Sequence, residues 1–403
     1  MQKQVTIVGV GPGSRLHMTT AVQQAVEQAG LLLGAPRLLE LFAELPCKKQ
    51  AAVLAAELAL LVEQSEEEAI CILMSGDTGF YSGAKRLVPL LSKYKPNILP
   101  GIGSLPYLCA RIAVSWEDVT PISAHGRQVN VAAAVAAHEK TFFLTDGVTT
   151  AGAICRILTE NGLGDCRVTV GSLLSYPDEQ IVTDTAQNLQ AQEFDALCAV
   201  LVERAQNPLW DYATGGIPDH LFMRGSVPMT KQEVRAVSVA KLRVRESDIV
   251  YDVGAGTGSV SVELALMARR GCVYAIEKNP EAWELILQNR RKFGAFSIAL
   301  VQGTAPAALA ELPPPNAAFL GGSGGELEEI LRVLYQKNPQ VRVVINAVTV
   351  ETVERALRLL NGMGFQDVQA VQLAVTRTET AGKSHLLRAQ NPVFVISGQG
   401  AGV

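Results

Sequence analysis

The chain has 403 residues, 48% of them hydrophobic and 18% charged, with a formal net charge of −4. That length suits two or three domains that each bury a core; it excludes wholesale disorder and speaks against a dominant nucleic-acid surface, though a local basic pocket for an acidic small molecule remains open. The seven cysteines form no CxxC pair, the start MQKQVTIVGV has no signal-peptide pattern, and no apolar run reaches the ~18 residues of a membrane span, so the expectation is a cytoplasmic protein with reduced thiols.

In the first half, strand-like runs alternate with helix-like stretches: Val5–Val8 strand, Thr19–Gln28 helix, Ala51–Gln64 helix, Ala69–Met74 strand and Asn97–Leu99 strand. Strands at Val129–Val131, Thr141–Leu144, Arg167–Leu173 and Ala196–Glu203 follow. The alternation predicts an α/β domain with a substantially parallel sheet. Residues 204–229 are rich in Pro and Gly and read as a linker with an irregular lead-in. The second half alternates again. It starts with a helix at Thr230–Leu242, where Thr230 and Glu233 have capping-box spacing. Strands at Ile249–Val253, Cys272–Ile276, Ile298–Val301, Ala317–Leu320 and Val341–Ala347 are interleaved with helices, and a Val368–Val375 and Val393–Ile396 pair closes the chain. This is a doubly wound pattern. The expected division is 1–205, a lead-in at 206–228, and 229–403.

Two glycine-rich loops of different design carry the chemistry. The second, Asp252-Val-Gly254-Ala-Gly256-Thr-Gly258, follows a strand and opens a helix, and Glu277 ends the next strand. Glycines there permit a tight turn and close backbone approach to a ligand, and an acid at the second strand tip can accept from ribose hydroxyls. The spacing is not the GxGxxG of a dinucleotide site, and Asp252 suits a cationic sulfonium better than a pyrophosphate. S-adenosylmethionine is therefore favoured over NAD. The first loop, Gly9-Val-Gly11-Pro-Gly13-Ser14, also lacks that spacing, and Pro12 removes a donor where a phosphate cradle needs one. Its companions are Ser75–Gly83, Pro100–Ser104, Ala124–Arg127 and Leu144–Gly147, each expected after a strand. Single loops of this kind are ordinary turns; as a set they suggest the carboxyl edge of a sheet, where ligands bind.

These residues resemble two known families. VGVGPGS (8–14), SGDTGFYSG (75–83), LPGIGSL (99–105), SAHGR (123–127), LTDGVTTAGAIC (144–155) and GSLLSYPDEQI (171–181) resemble the tetrapyrrole methylases, in the branch acting at carbon 5 of a corrin precursor. GIPDHLF (216–222), MTKQEVRAVSVAKLRV (229–244), DVGAGTGSVSVELA (252–265), AIEKNPEAW (275–283), FLGGSGGEL (319–327) and VINAVTVET (344–352) resemble the decarboxylating corrin-precursor methyltransferases acting at carbon 15. Thr78 stands where the first family usually has Pro, and Lys383–Gln390 lacks a Trp-Pro pattern.

The resemblance implies an N-terminal tetrapyrrole-methylase (class III methyltransferase) domain and a C-terminal Rossmann-like class I methyltransferase domain. It implies a bifunctional enzyme of cobalamin biosynthesis, with one S-adenosylmethionine site per domain. The enzyme would methylate carbons 5 and 15 of precorrin-6B/6Y or a cobalt-precorrin and decarboxylate the ring C acetate. Expected cofactor residues are Gly9, Gly11, Gly13, Asp77, Ser82, Ser104 and Asp146 in the first domain. In the second they are Thr230, Asp252, Gly254, Gly256, Gly258, Glu277, Gly303, Gly321, Gly322 and Gly324. A polycarboxylate substrate wants cationic donors; His125, Arg127 and Lys231 are the chosen ones, with Arg111, Arg224, Arg235, Arg377, Lys383 and Arg388 as further bases. Methyl transfer to an enamine-like carbon needs positioning more than a strong base, and the five histidines have no ligand spacing, so no metal is expected. A homo-oligomer without nucleic-acid or membrane partners is expected. The alternatives are a methyltransferase for another tetrapyrrole and a non-catalytic sensor of S-adenosylmethionine.

Overall fold

The computed structural model describes residues 3–124, 129–322 and 324–402. The chain divides into two compact units: one runs up to Val129 and takes in His138–Ala205, the other comprises Asn130–Ala137 and everything from Gln206 on. Among the described residues, no helix is long and apolar enough to cross a membrane.

The first unit has two sheets. β1 (Gln4–Gly9), β2 (Leu31–Gly34), β3 (Lys48–Ala51), β4 (Ala69–Met74) and β5 (Asn97–Leu99) are parallel, in the order β3-β2-β4-β1-β5. The central runs Ile7–Val8, Leu32–Leu33 and Ile70–Ile72 are buried, as continuous apolar strands covered on both faces must be. The second sheet contains β6 (Val119–Ser123), β7 (Lys140–Leu144), β8 (Arg167–Ser172), β9 (Gln180–Thr185) and β10 (Cys198–Glu203), in the order β6-β7-β10-β8-β9. Only β6 and β7 pair in parallel; the other neighbours are antiparallel. The expectation of a substantially parallel sheet therefore fits one sheet and fails for the other. Two more expectations are corrected. Val131–Ala137 is a helix, because its alanine-rich VAAAVAA outweighs the strand preference of its valines. Ala51 ends β3, and the helix expected from it starts at Ala55.

The second unit is built on β11 (Ile249–Val253), β12 (Cys272–Glu277), β13 (Ile298–Gln302), β14 (Ala317–Leu320), β15 (Arg342–Ala347), β16 (Gln366–Leu373) and β19 (Val393–Gln399), in the order β13-β12-β11-β14-β15-β19-β16. β19 lies antiparallel between β15 and β16. The first five strands thus follow the doubly wound order, and the chain crosses over between β13 and β14, beside β11, where such sheets bind ligands. Residues alternate strictly across the sheet: Val250 joins one core with Val262 and Ile286, while Tyr251 and Val253 join the other with Leu331 and Leu360. β17 (Thr376–Ala381) and β18 (Ser384–Ala389) form a separate hairpin, with β18 exposed along its length.

Candidate functional site

At the carboxyl edge of β11, β12, β13 and β14 lies a cavity of about 790 Å³. Its floor is Val253, Gly254, Ala255 and Gly256; Glu277, Lys278 and Asn279 form one side, and Gly303, Thr304 and Ala305 continue it. Gly321, Gly322 and Gly324 close the opposite side, and Val227 to Lys231, Asn346, Val348, Val375, Gln390, Asn391 and Val393 form the rim. The glycines are required by geometry. Gly254 has φ +76°, and a Cβ on it would sit 2.9 Å from the Gly322 carbonyl oxygen; Gly256 has φ +55°, with the Pro228 oxygen 2.9 Å from its Cβ position. The loops after β11 and β14 therefore touch backbone to backbone, which any side chain would prevent.

Glu277 is 8% exposed. Its Oε2 accepts from the Gly256 N–H at 2.8 Å and its Oε1 from the Asn279 N–H at 2.8 Å. Each oxygen keeps acceptor capacity on the cavity side. Its backbone oxygen takes the Gly303 N–H at 3.0 Å and the Trp283 indole N–H at 2.9 Å, which draws the loops after β12 and β13 together. A side of close-approaching backbone and a bidentate acceptor on a strand tip suit a ribose with its base and an amino-acid tail.

Of the residues expected in this site, Thr230, Lys231, Gly254, Gly256, Glu277, Gly303, Gly321, Gly322 and Gly324 line the cavity. Asp252 and Gly258 do not. Asp252 faces the core on the Val250 side of β11; its carboxyl is fully buried, Oδ2 accepts from the Ser261 hydroxyl, and Oδ1 has no partner. Burial pushes its pKa up to about 7, against the pull of the Ser261 bonds. It supports the loop from below and does not line the cavity. Gly258 starts the helix Ser259–Met267 at φ +75°, and its Cβ position is 3.1 Å from Ile286; it is a packing glycine. The capping box at Thr230 and Glu233 does not form. The helix begins at Gln232, Lys231 occupies the cap position without a side-chain bond, and Glu233 is held by Arg377.

The rim is anchored by ion pairs. Arg235 is fully buried: Nε donates to Glu263 at 2.6 Å, one terminal nitrogen donates to the Thr230 carbonyl at 2.6 Å and to Asp219 at 3.3 Å, the other donates to the Ile217 carbonyl, and the guanidinium lies 4.7 Å from the Phe222 ring centre. Glu263 also accepts the Gly216 and Ile217 N–H groups at 2.9 and 3.0 Å. Arg235 is thus a structural pin and no substrate contact, and GIPDHLF is welded to the second unit. Arg377 pairs with both oxygens of Glu233, at 3.0 and 2.5 Å, and with Asp219 at 3.1 Å. Its hydrogen bonds hold the Glu233 carboxyl below its ordinary range despite partial burial. Arg388 pairs with Glu379 on the exposed hairpin.

In the first unit the loops after β1, β4 and β5 converge. Gly11 and Gly76 exchange backbone hydrogen bonds at 3.2 and 2.9 Å. A Cβ on Gly9 would lie 2.6 Å from the Gly76 oxygen and 2.7 Å from the Gly101 nitrogen, and one on Gly101 would be 2.3 Å from the Gly76 oxygen. Asp77 ties the loops after β4 and β5: Oδ1 accepts from the Gly79 N–H at 2.8 Å and Oδ2 from the Gly101 N–H at 3.1 Å. Gly13 packs its backbone against Tyr176, its Cβ position being 2.4 Å from the ring. Ser14 N–H donates to the Ser175 hydroxyl at 2.7 Å. Ser175 N–H, the Tyr107 hydroxyl and Arg111 all donate to Glu179; burial raises that carboxyl, and these three bonds outweigh it to hold the carboxyl low. Arg111 is thereby committed to the protein. Ser82 accepts from the Ala84 N–H, Ser104 opens the helix Ser104–Arg111, and Asp146 closes its own turn on Val148 and Thr149. Gly9, Gly11, Gly13, Asp77, Ser82 and Ser104 thus sit on converging loops of one unit, whereas Asp146 belongs to the loop after β7. His125 and Arg127 lie outside the described residues.

Sequence reasoning missed Asn279, Asn346, Val375, Gln390 and Asn391, which line the cavity. Asn346 is the penultimate residue of β15 and Asn279 lies two residues past β12; the others are placed by loop and hairpin geometry, which leaves no periodic signal.

Residues 4–190 match the tetrapyrrole (corrin/porphyrin) methylases, and residues 221–399 match the precorrin methyltransferase domain. A probable cobalt-precorrin-6B C(15)-methyltransferase (decarboxylating) of Pyrobaculum calidifontis is 44% identical over 191 residues, which are 47% of this chain and 97% of the relative. A precorrin-6Y C(5,15)-methyltransferase [decarboxylating] of Sinorhizobium is 28% identical over 355 residues, 86% of this chain and 85% of the relative. The crystal structure of a precorrin-6y C5,15-methyltransferase from Geobacter metallireducens superposes on 47% of this chain and 100% of its own at 36% identity, with a TM-score of 0.45. The chain belongs to the precorrin methyltransferase family, as an S-adenosylmethionine-dependent enzyme in which a tetrapyrrole-methylase half precedes a Rossmann-like half.

Proposed function

We propose that the second unit methylates carbon 15 of a precorrin-6-type macrocycle and releases the carboxyl of its ring C acetate, and that the first unit methylates carbon 5. Each unit has its own S-adenosylmethionine site. Residues 1–205 serve the first reaction, 206–228 lead in, and 229–403 serve the second. The observation that carries this reading is the cavity, in which the Gly254–Gly256 loop, Glu277, Gly303 and Gly321–Gly322 meet at the crossover of a doubly wound sheet. Likeness to relatives acting on both carbons adds to it.

When bound, S-adenosylmethionine supplies an electrophilic methyl group. The protein's part is placement. Glu277 accepts from the ribose hydroxyls, the Gly254–Gly256 backbone follows the amino-acid tail, and Gly303 and Thr304 flank the base. Gly321, Gly322 and Gly324 bring backbone close to the reacting carbon. Lys231 and the open start of its helix attract the substrate carboxylates. The apolar rim of Val348, Val375 and Val393 keeps water from the acetate that loses carbon dioxide, since a poorly solvated carboxylate leaves more readily. Gly9, Gly11, Gly13, Asp77, Ser82, Ser104 and Asp146 shape the first site, and His125 and Arg127 bind carboxylates there. Self-association, without nucleic acid or membrane, belongs to the same reading.

Product analysis tests it. Purified protein with labelled S-adenosylmethionine and precorrin-6B, or its cobalt form, is expected to add two methyl groups and release one equivalent of carbon dioxide. Binding of S-adenosylmethionine with no transfer to either macrocycle would favour a sensor instead.

A further inference from the structure

Carbon 15 bridges rings C and D of a tetrapyrrole, so its site must hold that edge of the macrocycle against the methyl donor. The cavity of about 790 Å³ has the size for one drug-sized ligand, roughly 300–1,000 Å³. Four rings with their side chains and the donor do not fit inside it together. The cavity is also short of positive charge. Lys231 and Lys278 are its cationic lining residues, and Glu277 stands beside Lys278. Arg235 and Arg377 are committed to Glu263, Glu233 and Asp219. A carboxylate taken out of water without partners is heavily penalised, so most of the substrate's acetates and propionates must stay in solvent. The mouth offers an apolar surface instead. β15 ends in buried Ala347; beyond it Val348, on the rim, is 74% exposed and Val350 is 78% exposed. Between them Thr349 is extended and caps the helix Val350–Gly362. Arg355 of this helix donates to the Gly325 carbonyl at 3.2 Å, tying the helix to the loop after β14. On that loop, a Cβ at Gly322, Gly324 or Gly325 would meet nothing within 4 Å among the described residues. Val348, Gly322 and Gly324 border the same cavity.

We propose that Val348 and Val350 form a lip on which the tetrapyrrole lies with its flat face down, so that only the ring C–D edge enters the cavity and rings A and B stay outside. This rests on the carbon 15 reading above. The lip covers apolar ring surface, which favours binding in proportion to the area removed from water. The carboxylates around rings A and B keep their water, and the ring C acetate goes inward with carbon 15, past the open space along Gly322 and Gly324. Size, charge and surface then agree: a small cavity with two lysines takes one edge, and the apolar lip outside it takes the face. Val350 does not line the cavity, so its part is in recognising the macrocycle and not in holding the methyl donor.

Steady-state kinetics of carbon 15 methylation by Val350→Asp, Val350→Lys and Val350→Leu test the proposal, with calorimetry of S-adenosylmethionine binding and sedimentation alongside. Val350 is exposed at the first turn of its helix, where an acid suits the backbone, so V350D should fold. V350D is expected to raise KM for the macrocycle about tenfold, the worth of one valine's apolar burial. Its affinity for S-adenosylmethionine should stay unchanged. V350L keeps an apolar surface and should stay within about threefold of wild type. V350K separates a ring face from a carboxylate at this position: a face predicts a raised KM, as in V350D. A KM for V350K at or below that of wild type would mean that carboxylates lie there, and the proposal is wrong. An unchanged KM in V350D overturns it too, as does a V350D whose KM rises together with a change of oligomeric state, since the valines would then cover a second copy of the chain. Wild-type protein that methylates no tetrapyrrole would sink the carbon 15 reading itself, and this inference with it, whereas active wild type with an indifferent V350D sinks only the inference.

Discussion

Asp252 shows what a motif does and does not say about a residue. An acid two positions before a GxGxG loop reads as a ligand for the methyl donor, yet β11 ends at Val253, and strand alternation turns Asp252 to the core face beneath the loop. One residue of register separates the two roles, and no pattern in the chain reports it. Glu277 was legible because its strand ends on it, leaving the carboxylate at the tip. The buried Asp252 carboxyl has a consequence for stability. Its folded pKa, about 7, lies above the ordinary 3.8, so the folded state binds the extra proton between those values. This group therefore withdraws stability as pH rises from about 4 to about 7 and costs a constant amount above that. Asp252→Asn has no such term. Denaturant unfolding of both proteins across pH 4 to 8 should show the variant gaining on wild type up to about pH 7, by a few kcal/mol at most, and then running parallel. A variant that loses ground to wild type as pH rises through this range would contradict the raised, buried carboxyl.

At the scale of elements, strands with continuous apolar runs and helices with clear caps were legible, such as β1, β4 and the Thr19-capped helix Thr20–Glu27. The antiparallel half of the first unit was not. β8 and β9 pair across a turn whose residues Leu173 and Ser175 hold positive φ, a conformation no composition rule predicts for leucine. The segment before the second unit reads as a loop because it lacks periodicity, and its order comes instead from long-range ion pairs. Arg235 and Arg377 both bind Asp219, but from different environments: the Arg235 side chain is 0% exposed and that of Arg377 37%. Arg235→Ala strands Glu263 as a buried, uncompensated charge and should cost about 3–5 kcal/mol in unfolding experiments. Arg377→Ala should leave global stability nearly unchanged and speed amide exchange in β17 and β18, the hairpin that Arg377 ties to Glu233 on the Gln232–Leu242 helix and to Asp219. Equal losses of stability in the two variants would contradict the distinction.

At the scale of the molecule, the two glycine loops resolve into different devices. In the second unit, glycines let loops after β11 and β14 meet beside an open cavity. In the first, Gly9, Gly76 and Gly101 let three loops meet one another, with Gly11–Gly76 backbone bonds joining the loops after β1 and β4 and Asp77 joining those after β4 and β5. The presence of two doubly glycine-marked units was legible from spacing alone. That each holds its own methyl donor is the central claim, and damage to one site should then leave the other working. Gly101→Ala places a Cβ 2.3 Å from the Gly76 oxygen and 2.4 Å from the Gly9 oxygen, which spoils the first set of loops. Glu277→Ala removes the acceptor of the cavity in the second unit. The most direct measurement is the mass of the macrocycle, with the carbon dioxide released, after incubation with each variant. The account predicts one added methyl and no carbon dioxide from Glu277→Ala, and one added methyl with carbon dioxide from Gly101→Ala. Loss of both methylations in either soluble, folded variant, or retention of both in Glu277→Ala, would contradict two independent sites.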